Sequence, residues 1–248
     1  MNSRARRRVI FLVRKALLVV ASIALGIAIA AFLTLRSRLR SEPPRCPIGP
    51  TTPGIDVSYY QEAIDWPRVR RAGIRFAFIR LSDGAQLRDT RFATNWAEAR
   101  RAGVVRGAYQ FFRPDQSALA QADLMIATLQ NGDPGDLPPV IDIEVDGGLH
   151  PTVVAARAQQ WIERVRDKLG VEPIVYTGSD LWRSGGAEPL GTQPLWVAHY
   201  TQNCPTLPPP WTRWRFWQHT DRGAVPGIAG PVDLDLFAGT LGELHADR

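Results

Sequence analysis

Pro138-Pro139-Val140-Ile141-Asp142-Ile143-Glu144 is the stretch from which the rest of this sequence is best read. The two prolines stop any preceding helix, and the β-branched run after them is a buried strand in the making. Asp142 and Glu144 stand two apart, so on a strand they project from the same face, about 6.6 Å apart at ~3.3 Å per residue. Asp146-Gly147-Gly148 follows at once, which puts both carboxylates at the C-terminal end of that strand. An isolated Asp-x-Glu is as readily a salt-bridged strand edge, so the surroundings must decide between structure and chemistry.

Outward from this stretch, short apolar or aromatic runs alternate with longer charged segments of helical period. Gly54-Ile55-Asp56-Val57-Ser58 precedes a helix capped by Asp65 before Trp66-Pro67. Residues 75–81 read as a buried strand, 90–102 as a helix, 104–112 as a strand, 117–129 as a helix and 152–169 as a helix. Strands follow at 173–177, 194–200 and 214–219. Nearly continuous hydrophobic strands imply a parallel sheet covered by helices, and this many repeats favours closure into a barrel. After Tyr176 the helices give way to Gly/Pro-rich loops. The expected fold is therefore α/β, an irregular TIM-like barrel over 54–244.

Barrel enzymes carry their reactive groups at the C-terminal rim of the strands. Asp142 and Glu144 fall there, as do Asp56 at the end of the first strand and Asp233 near the last. Crowded acids split their pKa values, which supplies a proton donor and an anion together, as glycosidic cleavage requires. Asp56 reads equally well as a cap of the following turn, and Asp235 reads as solvated. Tyr59, Tyr60, Tyr109, Tyr176, Trp196, Tyr200, Trp214 and Trp217 bring aromatic rings toward the same rim, where flat faces suit sugars. Half of them are expected in the core, with Trp66, Trp161 and Trp214 the foremost packing positions.

The formal net charge of +6 suggests an anionic partner until the charge is located. Nine of the 30 Lys and Arg lie in the first 40 residues, which contain no acid; beyond them 21 basic side chains face 24 acidic ones. The folded part is mildly acidic, which excludes nucleic acid as the expected partner. Residues 1–15 form a basic tail, and 16–35 are uncharged and long enough as a helix to cross a bilayer. The heavier basic flank keeps the N-terminus in the cytoplasm and the large domain in the periplasm or outside the cell. A cleaved signal peptide is the rival, but Leu35-Arg36-Ser37-Arg38-Leu39-Arg40 offers no small-x-small cleavage site. The proline-dense stretch 36–53 is a linker.

Cys46 and Cys204 are the two cysteines, and an exported domain leaves them either paired or as idle thiols. Neither they nor the four scattered histidines show metal-ligand spacing, so no metal and no cofactor is expected.

The residues from Gly54 to Phe237 resemble the glycoside hydrolase family 25 lysozymes, the Chalaropsis-type muramidases. The matching motifs are Gly-Ile-Asp-Val-Ser (54–58), Ile-Asp-Trp (64–66), Gly-Ala-Tyr-Gln-Phe-Phe (107–112), Pro-Val-Ile-Asp-Ile-Glu (139–144), Val-Tyr-Thr-Gly (175–178), Leu-Trp-Val-Ala-His-Tyr (195–200), and Phe-Trp-Gln-His-Thr through Pro-Val-Asp-Leu-Asp-Leu-Phe (216–237). The resemblance implies a (β/α)5β3 barrel and hydrolysis of β-1,4 bonds between N-acetylmuramic acid and N-acetylglucosamine in peptidoglycan. It implies Glu144 as general acid/base, Asp142 as the neighbour that positions the reacting groups, and Asp56 and Asp233 as the other acids of the site. Tyr109, Tyr176, Trp196, Tyr200, Gln218 and Arg80 form the expected substrate-binding set. A substrate-assisted mechanism through an oxazolinium is favoured over a covalent glycosyl-enzyme. Gln110, Arg80 to Asp83 and His219 depart from the usual pattern, and the effect is expected on subsite preference and pH optimum. The rival reading is a catalytically idle peptidoglycan-binding module, whose signature would be the loss of Glu144 or Asp142.

Overall fold

The computed structural model describes residues 22–29, 46, 49–130 and 137–246. Residues 22–29 are helical and expose Ile23, Leu25, Ile27 and Ile29. The rest of the expected spanning segment, and the basic tail, lie outside the described residues. Among the described residues no helix is long and apolar enough to cross a membrane.

Among the described residues nine strands form one sheet: β1 (Thr52–Val57), β2 (Phe76–Asp83), β3 (Leu87–Arg88), β4 (Val105–Phe111), β5 (Val140–Ile143), β6 (Ile174–Gly178), β7 (Leu195–Ala198), β8 (Phe216–Gly223) and β9 (Val232–Phe237). Eight of them close a ring, β1-β2-β4-β5-β6-β7-β8-β9 and back to β1, while β3 is clipped antiparallel onto β2. Every ring pairing is parallel except those of β9, which runs antiparallel to β8 and β1. The first strand begins at Thr52, so Thr52 and Pro53, read from sequence as linker, are part of the barrel. Thr52 Oγ1 donates to the Gly239 carbonyl at 2.8 Å, and the Pro53 carbonyl accepts from Arg75 N at 2.9 Å.

Helices α1 (Trp66–Arg71), α2 (Phe92–Arg101), α3 (Ala118–Leu129) and α4 (Pro151–Leu169) follow β1, β2, β4 and β5. The fifth connection carries only the 3-10 turn Glu188–Leu190, and α5 (Leu241–Ala246) closes the described chain. Local chemistry sets the starts: Asp65 accepts from Arg68 N at 3.0 Å, and Ser117 Oγ accepts from Ala120 N at 3.2 Å. Val154, Ala155, Ala158, Trp161, Ile162 and Val165 make one buried stripe on α4, which packs on α3 and the outer face of the sheet.

Alternation along each strand divides the interior into two storeys. The lower is filled by Phe76, Phe78, Val140, Ile174, Phe216 and Phe237. Two glycines make room for it: a Cβ on Gly54 would sit 2.2 Å from the Phe76 ring and one on Gly107 2.5 Å from the Phe78 ring. The upper storey, at the C-terminal ends of the parallel strands, holds polar groups instead. Cys46 and Cys204 are joined by a disulfide with Cα atoms 4.7 Å apart, which ties the segment before β1 to the loop between β7 and β8.

Candidate active site

One cavity of about 200 Å³ at the C-terminal mouth is lined by all ten residues expected at the site: Asp56, Arg80, Tyr109, Asp142, Glu144, Tyr176, Trp196, Tyr200, Gln218 and Asp233. They come from seven strands or the loops just after them, β1, β2, β4, β5, β6, β8 and β9, plus β7 with its following loop. A second cavity of about 490 Å³ shares Glu144, Tyr176 and Tyr200 and extends past Asp180 and His199.

Asp142 is the last inward residue of β5, and Glu144 lies one step beyond the strand. Asp142 is 3% exposed, and its Oδ1 has no hydrogen-bond partner. Burial, and then the facing Glu144 charge, raise its carboxyl well above the usual range. Glu144 reaches solvent at the rim, yet the surrounding protein raises its pKa too, opposed by the hydrogen bond it accepts from Asp142. The two carboxyls face one another, both are raised first by burial, and they titrate as a pair.

Across the mouth, Asp56, Asp233 and Asp235 form a second acidic group. Burial raises Asp56 well above the carboxylate range, and Asp233 and Asp235 raise it further. Asp233, half-buried, is pushed up to about 6, first by burial and then by the charges of Asp221 and Glu144. Asp235 overturns its expected solvated place: it is 1% exposed, faces inward opposite Gln218, and is raised well above the range by burial. The missed signal is parity, because Asp233, Asp235 and Phe237 alternate with the outward Val232, Leu234 and Leu236.

Gln218 joins the group to the aromatic wall. Its Oε1 accepts from Tyr176 Oη at 2.8 Å and Tyr200 Oη at 3.0 Å, and its Nε2 donates to Asp56 Oδ2 at 2.7 Å. Asp56 is therefore a member of this network; the turn after β1 is capped by Ser58, whose Oγ accepts from Tyr60 N. Trp196 is 1% exposed and shapes the cavity floor from below: its ring stacks on Phe78 at 4.4 Å, and its Nε1 donates to Asp235 at 2.9 Å. Arg80 Nε donates to Asp89 Oδ2 at 3.1 Å, a partner the sequence did not single out.

Several sequence expectations change place. Trp217, expected near the rim, is fully buried on the outer face and donates to the His199 carbonyl; Trp214, expected in the core, is half-buried against it. Strand parity separates Trp217 from the inward Gln218. Gln110 also points outward, accepting from Trp161 Nε1 at 2.7 Å and donating to Ser82 Oγ at 2.9 Å, so this departure from the family pattern alters packing behind the sheet. His219 is buried beside Trp217, and burial lowers its pKa to about 4. Asp83 forms a two-pronged ion pair with Arg113 at 2.5 and 2.7 Å, outside the lining of the acidic cavity.

Comparison with known proteins places this geometry in a family. Residues 55–228 match the sequence family described as glycosyl hydrolases family 25. The chain is 44% identical over 207 residues to the uncharacterized protein YegX of Escherichia coli K12, covering 82% of this chain and 75% of that one. It is 35% identical over 208 residues to Lysozyme M1 of Streptomyces globisporus, covering 78% and 70%. The crystal structure of a bacterial lysozyme from Streptomyces coelicolor superposes with a TM-score of 0.74 at 32% identity, covering 80% of this chain and 97% of that one.

Proposed function

The chain belongs to the glycosyl hydrolases of family 25, and we propose from that membership that it is a lysozyme cutting the β-1,4 bond between N-acetylmuramic acid and N-acetylglucosamine in peptidoglycan. The observation that carries the reading is the Asp142–Glu144 pair, two facing carboxyls raised by burial at the mouth of a barrel that has kept the acids an idle binding module would have lost.

In this reading Glu144 donates its proton to the leaving glycosidic oxygen as the C1–O bond breaks. The acetamide oxygen of the same sugar closes on C1 to give an oxazolinium, while the unpartnered Asp142 Oδ1 accepts the acetamide N–H and balances the cation. Glu144 then takes a proton from water as that water attacks C1 and the C1–O bond of the oxazolinium opens, restoring the acetamide and the acid. Asp56 and Asp233 bound the far side of the sugar, and Gln218 takes the single hydroxyl proton of both Tyr176 and Tyr200, which leaves their oxygens as acceptors for sugar hydroxyls.

The lysozyme domain is further read as tethered outside the cytoplasmic membrane through residues 16–35. Support comes from the uncharged run between basic flanks, from the helical stretch 22–29 with its exposed isoleucines and leucine, and from a disulfide suited to an oxidising compartment. A C-terminal reporter active only outside the membrane is the expected result, and cytoplasmic activity would contradict the tether. Incubating the detergent-solubilised full chain with purified sacculi should release new reducing ends; tight sedimentation without them would return the idle module.

A further inference from the structure

We propose that Tyr59 and Tyr60 form a stacking shelf for a sugar ring of the glycan strand, flanking the cleaved linkage on the β1 side of the mouth; this rests on the lysozyme reading above. Both side chains stand in solvent, Tyr59 42% and Tyr60 69% exposed, with ring centroids 4.2 Å apart. The Arg80 guanidinium lies 4.7 Å from one ring centre and 5.4 Å from the other.

The turn that carries them is locked from four sides. Ser58 Oγ accepts from Tyr60 N at 3.3 Å, and Ser58 N donates to Gln61 Oε1 at 2.9 Å. Tyr59 N donates at 2.9 Å to Asp89 Oδ2, the same oxygen that accepts from Arg80. Gln61 Nε2 reaches the Pro231 carbonyl at 3.4 Å. Glu62 ends the turn at φ 51°, a left-handed geometry that a non-glycine residue adopts at a cost. A turn whose backbone is already ordered has less entropy to lose when a ligand settles on its side chains.

Position and charge choose the occupant. Tyr60 and Arg80 line the cavity that holds Asp56, Asp142 and Glu144, so a strand reaching the acids passes the shelf. β1 lies four strands from β6 around the eight-stranded ring, which sets the shelf opposite the wall where the larger cavity opens past Tyr176. The mouth therefore has a wall for glycan on each side of the acids. Since Asp89 already pairs with Arg80, the shelf offers ring faces rather than a free charge, and this suits the apolar face of a pyranose.

The test compares the full-length protein with its Tyr60→Ala and Tyr60→Phe variants on long glycan strands and on the shortest soluble fragment it cleaves. Tyr60→Ala should raise KM on long strands roughly five- to tenfold with kcat kept, change the short fragment little, and be rescued by Tyr60→Phe, which retains the ring. A second arm measures sedimentation with sacculi in a Glu144→Gln background, where adding Tyr60→Ala should weaken binding by a similar factor. Unchanged KM on long strands, or an equal loss of kcat on both substrates, overturns the shelf. If the parent protein cleaves nothing, the lysozyme reading falls and the sedimentation arm alone decides: weakened pelleting upholds the shelf, and undiminished pelleting overturns it.

Discussion

The two storeys of the barrel interior use one backbone rule for opposite ends. Below, inward positions are filled by Phe76, Phe78, Phe216 and Phe237; one or two residues further along the same strands, or on their neighbours, the inward positions are Arg80, Gln218, Asp235 and Asp56. The lower storey is ordinary core, gaining stability from apolar burial and ring packing. The upper storey gathers five acids, all with carboxyls raised by burial before any neighbouring charge is counted, Glu144 among them at the rim. Trp196 belongs to both, with its ring on Phe78 and its N–H on Asp235. A site whose acids are all raised by burial is suited to proton transfer but is a weak contributor to stability at neutral pH.

Breaking the lower storey should have the largest effect on stability. Phe78→Ala removes a fully buried ring that contacts Phe76, Phe216 and Trp196, and should lower unfolding free energy by about 3–5 kcal/mol in denaturant melts. An effect below about 1 kcal/mol would mean that the floor is not a packed core.

The upper storey should show itself in the pH dependence of stability. Asp233 has a folded pKa of about 6 against an ordinary value of 3.8, so its protonated form stabilises the fold fully below 3.8, and that contribution is lost as pH rises through 6. Asp56, Asp142 and Asp235 are raised as well and carry the loss to higher pH. Calorimetric Tm should therefore fall as pH rises from about 4 through 6, by an amount reflecting about 3 kcal/mol for Asp233 alone, and go on falling above 6 through the other three. A Tm that rises over this interval would show that these acids are held as stabilised anions.

The smallest effect sharpens the boundary between the storeys. Asp235→Asn keeps an acceptor for Trp196 while removing one of the charges that raise Asp56. It should stabilise the protein by roughly 1 kcal/mol at pH 7 and move the pKa of Asp56, followed by carboxyl NMR, downward. Destabilisation with no shift at Asp56 would make Asp235 a purely structural partner of Trp196.

The sequence made the barrel legible because its strands are short apolar runs bounded by well-signalled helices such as those capped by Asp65 and Ser117. It made the site legible through motif order, and the ten residues it nominated line one cavity. What it missed were matters of parity and partnership. Asp235 and Gln110 each lie one or two residues from a recognised site residue, and only strand pairing shows that one faces the acids and the other α4. Asp89, which holds both Arg80 and the Tyr59 turn, precedes α2 in a segment with no pattern of its own. The pairing of Cys46 with Cys204 spans 158 residues and needed the fold to bring the Cα atoms together.

The central claim is that the upper storey cleaves glycan with Glu144 as the proton donor. Reducing ends released from sacculi by the full-length protein and by its Glu144→Gln variant, measured beside sedimentation of each, test it most directly. Release by the variant should fall at least ~10²-fold with pelleting retained. Undiminished release by Glu144→Gln would contradict it.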